Sequence, residues 1–375
     1  MPPSSASPSS PVPLLDLSEA HQADRAAFMA AIGEIIDTNA FVLGKATEQF
    51  EHDLASYCQA THAIGMSSGT DALLAALMAA EIGPGDEVIV PAFTFFASAG
   101  SVARAGAKPV FVDIDPATFN IDPAAAAEAV TRRTRAIMPV HLYGQSADMD
   151  AVMALAEREG LTVIEDAAQS IGARYNGISS GTIGHMGALS FYPTKNLGAF
   201  GDAGAVLTQD DALAERLRVL RLHGQTDTYQ HGLLGGNFRI DGIQSAVLSI
   251  KLKHLDADAE ARRAAAARYN DLLADTPLQL PQVAAGCHHV FNQYTVRSQQ
   301  RDALCEHFKA AGIGHRVYYP LALHLQPCFA DLGYREGQFP KAEAATQQVV
   351  SLPMFPHLTA EQQTQVAQAV RTFYA

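Results

Sequence analysis

Apolar positions recur along the chain in two rhythms. From Leu15 to about Tyr57 they fall three and four residues apart, as at Phe28, Ile32, Ile35 and Ile36. That spacing predicts helix, with a break at Phe41-Val42-Leu43-Gly44. From about residue 60 to 210, short β-rich runs replace it: Glu87 to Val90, Pro109 to Val112, Ala136 to Val140, Thr162 to Ile164, Ala188 to Phe191 and Ala203 to Thr208. Helical stretches at Thr70 to Ala80, Ala124 to Val130 and Asp148 to Glu159 separate them. Such alternation predicts crossover units and a mostly parallel sheet. Residues 211 to 222 read as an amphipathic helix, and one long helix is expected over Asp241 to Leu273. The remainder, from about residue 275, reads as a smaller α+β unit.

The first residues, MPPSSASPSSPVP, are almost entirely Pro and Ser, which predicts a disordered tail over 1–13. They have no basic start and no apolar stretch, unlike a signal peptide. A large domain is expected over 14–255 and a small C-terminal one over 256–375.

Charge narrows the functions available. The 26 basic and 39 acidic residues give a formal net charge of −13, which argues against general nucleic-acid binding. Small anions remain possible ligands, since one Arg or one helix start acts locally. The longest apolar run, Ala72 to Ala80, is about nine residues, too short for a bilayer. Cys58, Cys287, Cys305 and Cys328 are scattered, as expected of reduced thiols in a cytoplasmic protein.

Ligands of open α/β sheets sit at the carboxyl ends of the strands. Four segments there are unusual. In Gly65 to Leu73, small residues lead into a helix; Ser67 or Ser68 can cap it, and its free N–H groups suit a phosphate or serve only as an ordinary helix start. Pro91-Ala92-Phe93-Thr94-Phe95-Phe96 offers three aromatics, two expected in the core and one available for stacking on a flat ligand. Glu165 and Asp166 close an apolar strand. A carboxylate buried there needs a cation or donors, although Asp166 could equally cap a following helix. Lys195 lies in a hydroxyl- and Gly-rich turn between two apolar strands, where desolvation would make its amine nucleophilic; a solvated loop lysine is the plainer alternative. A phosphate cradle, a stacking ring, a carboxylate and an amine together meet the needs of pyridoxal phosphate.

At these residues the chain resembles the DegT/DnrJ/EryC1/StrS family of sugar aminotransferases. The motifs are SSGTDAL at 67–73, PAFTF at 91–95, PVHLYGQ at 139–145, EDAAQS at 165–170, SFYPTKNLGAFGDAG at 190–204, GGNFRIDGIQSAVL at 235–248, VYYP at 317–320 and SLPMFPHLT at 351–359. The resemblance implies an α/β three-layer sandwich with a mostly parallel central sheet, the fold type I of pyridoxal phosphate enzymes, plus a small α+β C-terminal domain. It implies that Lys195 joins the cofactor's aldehyde and then moves protons, and that Asp166 pairs with the pyridine nitrogen. Gln169 would lie beside the phenolic oxygen and Phe95 would stack on the ring. Ser68, Gly69, Thr70 and Ser190 would hold the phosphate. Asn237 would reach the phosphate of a neighbouring subunit, so a homodimer with shared sites is implied. Arg239, Tyr318 and His324 would contact substrate.

The implied reaction moves an amino group from an amino acid, typically glutamate, to a nucleotide-linked ketosugar. PVHLYGQSADMD and LRLHGQ most resemble enzymes aminating C3 of UDP- or dTDP-linked 3-ketosugars. C4 amination of a 4-keto-6-deoxysugar is the alternative. Dehydration is disfavoured because Lys195 is present, and a regulatory role lacks a basic DNA-binding surface. Ala203, Phe238 and Tyr318 depart from the commonest family pattern. His141, His223 and His324 are each more simply structural than catalytic. His288-His289 beside Cys287 lacks companion ligands at metal spacing, so no metal is expected. Arg262-Arg263 reads as a solvated helix face.

Overall fold

The computed structural model describes residues 11–375. Seven strands form the central sheet: β1 (His62–Met66), β2 (Glu87–Pro91), β3 (Lys108–Val112), β4 (Thr134–Ile137), β5 (Thr162–Asp166), β6 (Met186–Ser190) and β7 (Gly204–Thr208). Their order is β1-β7-β6-β5-β4-β2-β3, and only β7 runs against the rest. Strand side chains alternate between two buried layers, as period two requires. Ile64, Met66, Val88, Val90, Ile164 and Val206 enter one layer beneath α4 (Gly69–Ala79) and α8 (Asp211–Leu220). Their neighbours Ala63, Leu189, Ala205 and Leu207 face α3 (Lys45–Cys58) and α9 (Gly242–Leu252), while Ile89 and Val163 face α7 (Met149–Glu159). The result is a three-layer α/β sandwich, as the sequence predicts. β1 is not among the expected strands, because Ala63 and Gly65 dilute the β signal of its five residues.

The expected long helix is two. The helix α9 ends at Leu252, and α10 (Leu255–Leu273) begins after Lys253-His254. No Gly or Pro marks the break. Its cause is tertiary: Leu248 and Leu255 pack in the large core, whereas Ala265, Ala266, Tyr269 and Leu273 pack in a second core. That core also contains β8 (Tyr294–Arg297) paired antiparallel with β9 (Val349–Leu352). Arg262 corrects the reading of a solvated face. It is only 3% exposed, and its guanidinium donates to the carbonyls of Phe291 and Met354.

The tail expectation is also corrected in part. Residues 1–10 lie outside the described residues. Val12 is buried in the second core, bridges Ile313 and bonds with Gly312 and Gly314. One buried apolar side chain and its two backbone bonds therefore anchor the end of the Pro- and Ser-rich run. Among the described residues, no helix is long and apolar enough to cross a membrane.

Candidate active site

The helix α4 starts at the carboxyl end of β1. Ser68 caps it, its hydroxyl accepting from Asp71 N at 3.0 Å. The first intrahelical bond runs from Ala72 N to Ser68 O, which leaves the N–H groups of Gly69 and Thr70 outside the helix ladder. A Cβ on Gly69 would lie 2.6 Å from Ser190 Cβ, so only glycine lets the helix start meet the end of β6.

Asp166 ends β5 and is 4% exposed. No helix follows it, so the helix-cap alternative does not apply. Its Oδ2 accepts from Ser98 Oγ at 2.6 Å and its Oδ1 from Ala168 N at 3.2 Å. Burial holds the carboxyl above its usual range; Ser98, Ala168, Lys195 and His141 pull it back. A carboxylate so placed is stabilised by a cationic ring nitrogen.

Glu165 points to the opposite layer. Its carboxylate meets His141 Nε2 at 2.7 Å and accepts from the N–H groups of Gly181, Ile183 and Gly184. Of the two carboxylates, only Asp166 faces the cavity.

Lys195 is half-buried in the turn after β6. Burial pulls its amine down to about 8, and Asp166 offsets part of that. The turn is pinned by Lys251, which donates to Gly198 O, and by Gln244, which accepts from Phe200 N. Burial drives the thiol of Cys58 the other way, up to about 12, and that of Cys287 to about 11.

Ser68, Gly69, Thr70, Phe95, Asp166, Gln169, Ser190, Lys195 and Tyr318 line one cavity of about 590 Å³. Phe95 is 54% exposed there. Of the three aromatics only Phe93 is core; Phe96 is exposed and stacks on Phe329 at 5.7 Å. Gln169 donates to Tyr319 Oη at 3.1 Å and accepts from Tyr143 N at 2.7 Å.

Three expected residues do not reach this cavity. Asn237 is exposed outside it, and Arg239 bridges Met66 along the backbone. His324 is corrected: it is 2% exposed, meets Glu343 at 3.1 Å and packs edge-on against Phe339 at 4.7 Å. Its partners, Tyr334, Phe339 and Glu343, enclose it away from the cavity, which leaves almost none of its surface for substrate. Conversely, Ser98, Arg316 and Tyr319 line or brace the cavity and were missed. The doubled tyrosine of VYYP and the hydroxyl three residues after Phe95 were the available signals.

Comparison with known proteins gives this geometry a context. Residues 22–371 match the model of the DegT/DnrJ/EryC1/StrS aminotransferase family. The chain belongs to that family. It is 54% identical to a "Pleiotropic regulatory protein" of Geobacillus stearothermophilus, over 97% of this chain and 98% of the relative. It is 46% identical to the "UDP-N-acetyl-3-dehydro-alpha-D-glucosamine 3-aminotranferase" of Acidithiobacillus ferrooxidans, over 96% of this chain and 97% of the relative. The crystal structure of S. venezuelae DesV superposes with a TM-score of 0.95 at 47% identity, covering 97% of this chain and 99% of that one.

The protein is an aminotransferase, and its cofactor is pyridoxal 5′-phosphate. The residues fit that group. The helix start at Gly69 and Thr70 suits its phosphate, the buried Asp166 its ring nitrogen, and the depressed amine of Lys195 its aldehyde.

Proposed function

We propose that the enzyme transfers an amino group from an amino acid, glutamate in the first instance, to C3 of a UDP- or dTDP-linked 3-ketosugar. The observation that supports it most is a lysine with a depressed pKa in the same cavity as a buried, donor-bonded carboxylate. The sugar class follows the 3-aminotransferase activity for which the A. ferrooxidans relative is named. The G. stearothermophilus relative carries a regulatory name, but Lys195 and Asp166 are both present in this chain and share one cavity, which supports catalysis.

In this reading Ser68, Gly69, Thr70 and Ser190 hold the phosphate, Phe95 covers the ring and Gln169 orients it. When bound, pyridoxal phosphate supplies an electron sink for carbanion chemistry. Asp166 keeps the ring nitrogen protonated. Lys195 Nζ would accept the proton from the amino-bearing carbon of the donor and hold it for return as the amino group is transferred. Phe95, Tyr318 and Tyr319 shield that transfer from water.

The working form is a homodimer. Met29 at 57%, Ile36 at 55% and Val42 at 60% leave an apolar strip exposed on the single chain, which supports a partner there. Asn237, exposed outside its own cavity, would reach the phosphate of the partner, and Arg239 beside it would contact substrate. The enzyme would work in the cytoplasm, where nucleotide sugars are made. Incubating holoenzyme with glutamate and a panel of UDP- and dTDP-ketosugars, followed by mass analysis, tests the proposal. Amine gain on a 3-ketosugar is expected; gain only on 4-ketosugars would replace it with C4 amination.

A further inference from the structure

The charge inside the cavity leaves one cation without a task. Its titratable lining is Asp166, Asp202, Lys195, Arg316 and three tyrosines, Tyr192, Tyr318 and Tyr319. Lys195 is the nucleophile. The phosphate site is built from helix N–H groups and hydroxyls, with no arginine in it. Among the described residues of the single chain, Arg316 is therefore the only permanent positive charge lining the cavity that neither the cofactor nor the proton transfer uses.

Its backbone is rigid while its side chain is free. Arg316 N donates to Ser351 O at 3.2 Å, and Ser351 N donates back to Arg316 O at 2.8 Å. Ser351 lies fully buried in β9, so the Arg316 Cα is fixed to the small domain. Among the described residues the guanidinium has no hydrogen bond or ion pair, and the residue is exposed at the cavity wall. Tyr143 donates to the carbonyl of Tyr318, which holds the adjoining wall in place.

An amino donor has a carboxylate on the same carbon that carries its amine. Wherever the amine approaches Lys195, that carboxylate enters the cavity too. The diphosphate of a nucleotide sugar, attached at C1, stays farther from the reacting carbon. In a chain of formal charge −13, with two further carboxylates in the cavity, such an anion needs a dedicated cation. A guanidinium is well matched to a carboxylate because it can donate two parallel bonds.

We propose that Arg316 is the anchor for the α-carboxylate of the amino donor, and so sets donor specificity apart from sugar specificity. The inference rests on the amino-acid donor of the proposed function. The test follows loss of the visible absorption of the holoenzyme on mixing with L-glutamate, with glutamic acid α-amide, or (after conversion to the amino form) with a ketosugar accepted by the wild type. In Arg316→Gln the half-saturating glutamate concentration should rise roughly ten- to a hundredfold. The α-amide and the ketosugar should respond as in the wild type, the visible spectrum should be unchanged, and Arg316→Lys should recover part of the loss. Unchanged glutamate response in Arg316→Gln, or equal weakening of glutamate and ketosugar, overturns the assignment alone. A wild-type holoenzyme bleached by no amino acid would overturn the donor reading, and this assignment with it.

Discussion

Ser98 donates its hydroxyl to Asp166 Oδ2 at 2.6 Å, joining the first turn of α5 (Phe96–Arg104) to the end of β5. The bond orients a carboxylate that burial would otherwise push toward its neutral form. Asp166→Asn keeps the shape but cannot hold the ring nitrogen protonated. Its kcat should fall at least about a hundredfold, in the range for losing one preorganised electrostatic partner. Ser98→Ala should cost less, about tenfold, because Ala168 N still donates to the same carboxylate. Steady-state kinetics check both, and a fully active Asp166→Asn would remove Asp166 from the mechanism.

Lys195 gives a pH signature. Its amine sits at about 8, lowered by burial, against about 10.4 for an exposed lysine. The neutral amine is the nucleophile, so capture of pyridoxal phosphate by the apo-protein should speed up as pH rises and level off above about 8. The same shift affects stability. Between the folded and unfolded pKa values the unfolded chain binds the extra proton, so this site makes apo-protein stability rise with pH across that window. Stopped-flow absorbance of cofactor capture checks the first point. A rate still climbing steeply well above pH 8 would show an unperturbed lysine.

Gly69 is a steric test of the phosphate site. Alanine there would place its Cβ 2.6 Å from Ser190 Cβ and 3.1 Å from Ser190 Cα, so the backbone must move. Gly69→Ala should weaken cofactor binding at least about tenfold, the equivalent of about 1.4 kcal/mol. Equilibrium dialysis of pyridoxal phosphate measures it. The fold should survive, since the clash is confined to one contact at the cavity wall.

Much of this was legible in the sequence, for identifiable reasons. The strands at 87–91 and 186–190 are short apolar runs flanked by breakers, and Asp166 stands out as a charge ending such a run. Lys195 stands out as a cation in a turn with no polar helix face to explain it. The failures share a cause: they depend on what the chain packs against. Arg262 looks solvated until β8, β9 and the loop at Phe291 close over α10. His324 sits in a site-like motif, yet Phe339 and Glu343 enclose it. Arg316 follows ordinary loop residues, and only the bridge to Ser351 turns it toward the cavity. The end of α9 has no local marker because the change of core, not a residue, ends it.

Glu165 predicts a loss of stability rather than of chemistry. Its buried carboxylate satisfies His141 and three backbone N–H groups over residues 181–184. Glu165→Ala leaves all four without that partner in a site with 0% exposure, and should cost about 3 kcal/mol or more. Denaturant unfolding measures the cost. Glu165→Gln, which can still accept from the loop, should lose less. If Glu165→Ala unfolded at the wild-type midpoint, the loop would be held by other contacts.

Asn237 supplies the sharpest test of shared sites. It is exposed and does not line the cavity of its own chain, whereas Lys195 does. If Asn237 completes the partner's phosphate site, Lys195→Ala and Asn237→Ala damage different halves of each composite site. Each variant alone should be nearly inactive. Mixed and allowed to exchange subunits, they form heterodimers with one site carrying both defects and one carrying neither. Activity should then return to about a quarter of the wild-type level, because random pairing makes half the dimers mixed and each mixed dimer has one intact site of two. Differently tagged subunits, isolated as heterodimers, check that exchange took place. Confirmed heterodimers with no recovered activity would place Asn237 and Lys195 in the same site, and the site within one chain.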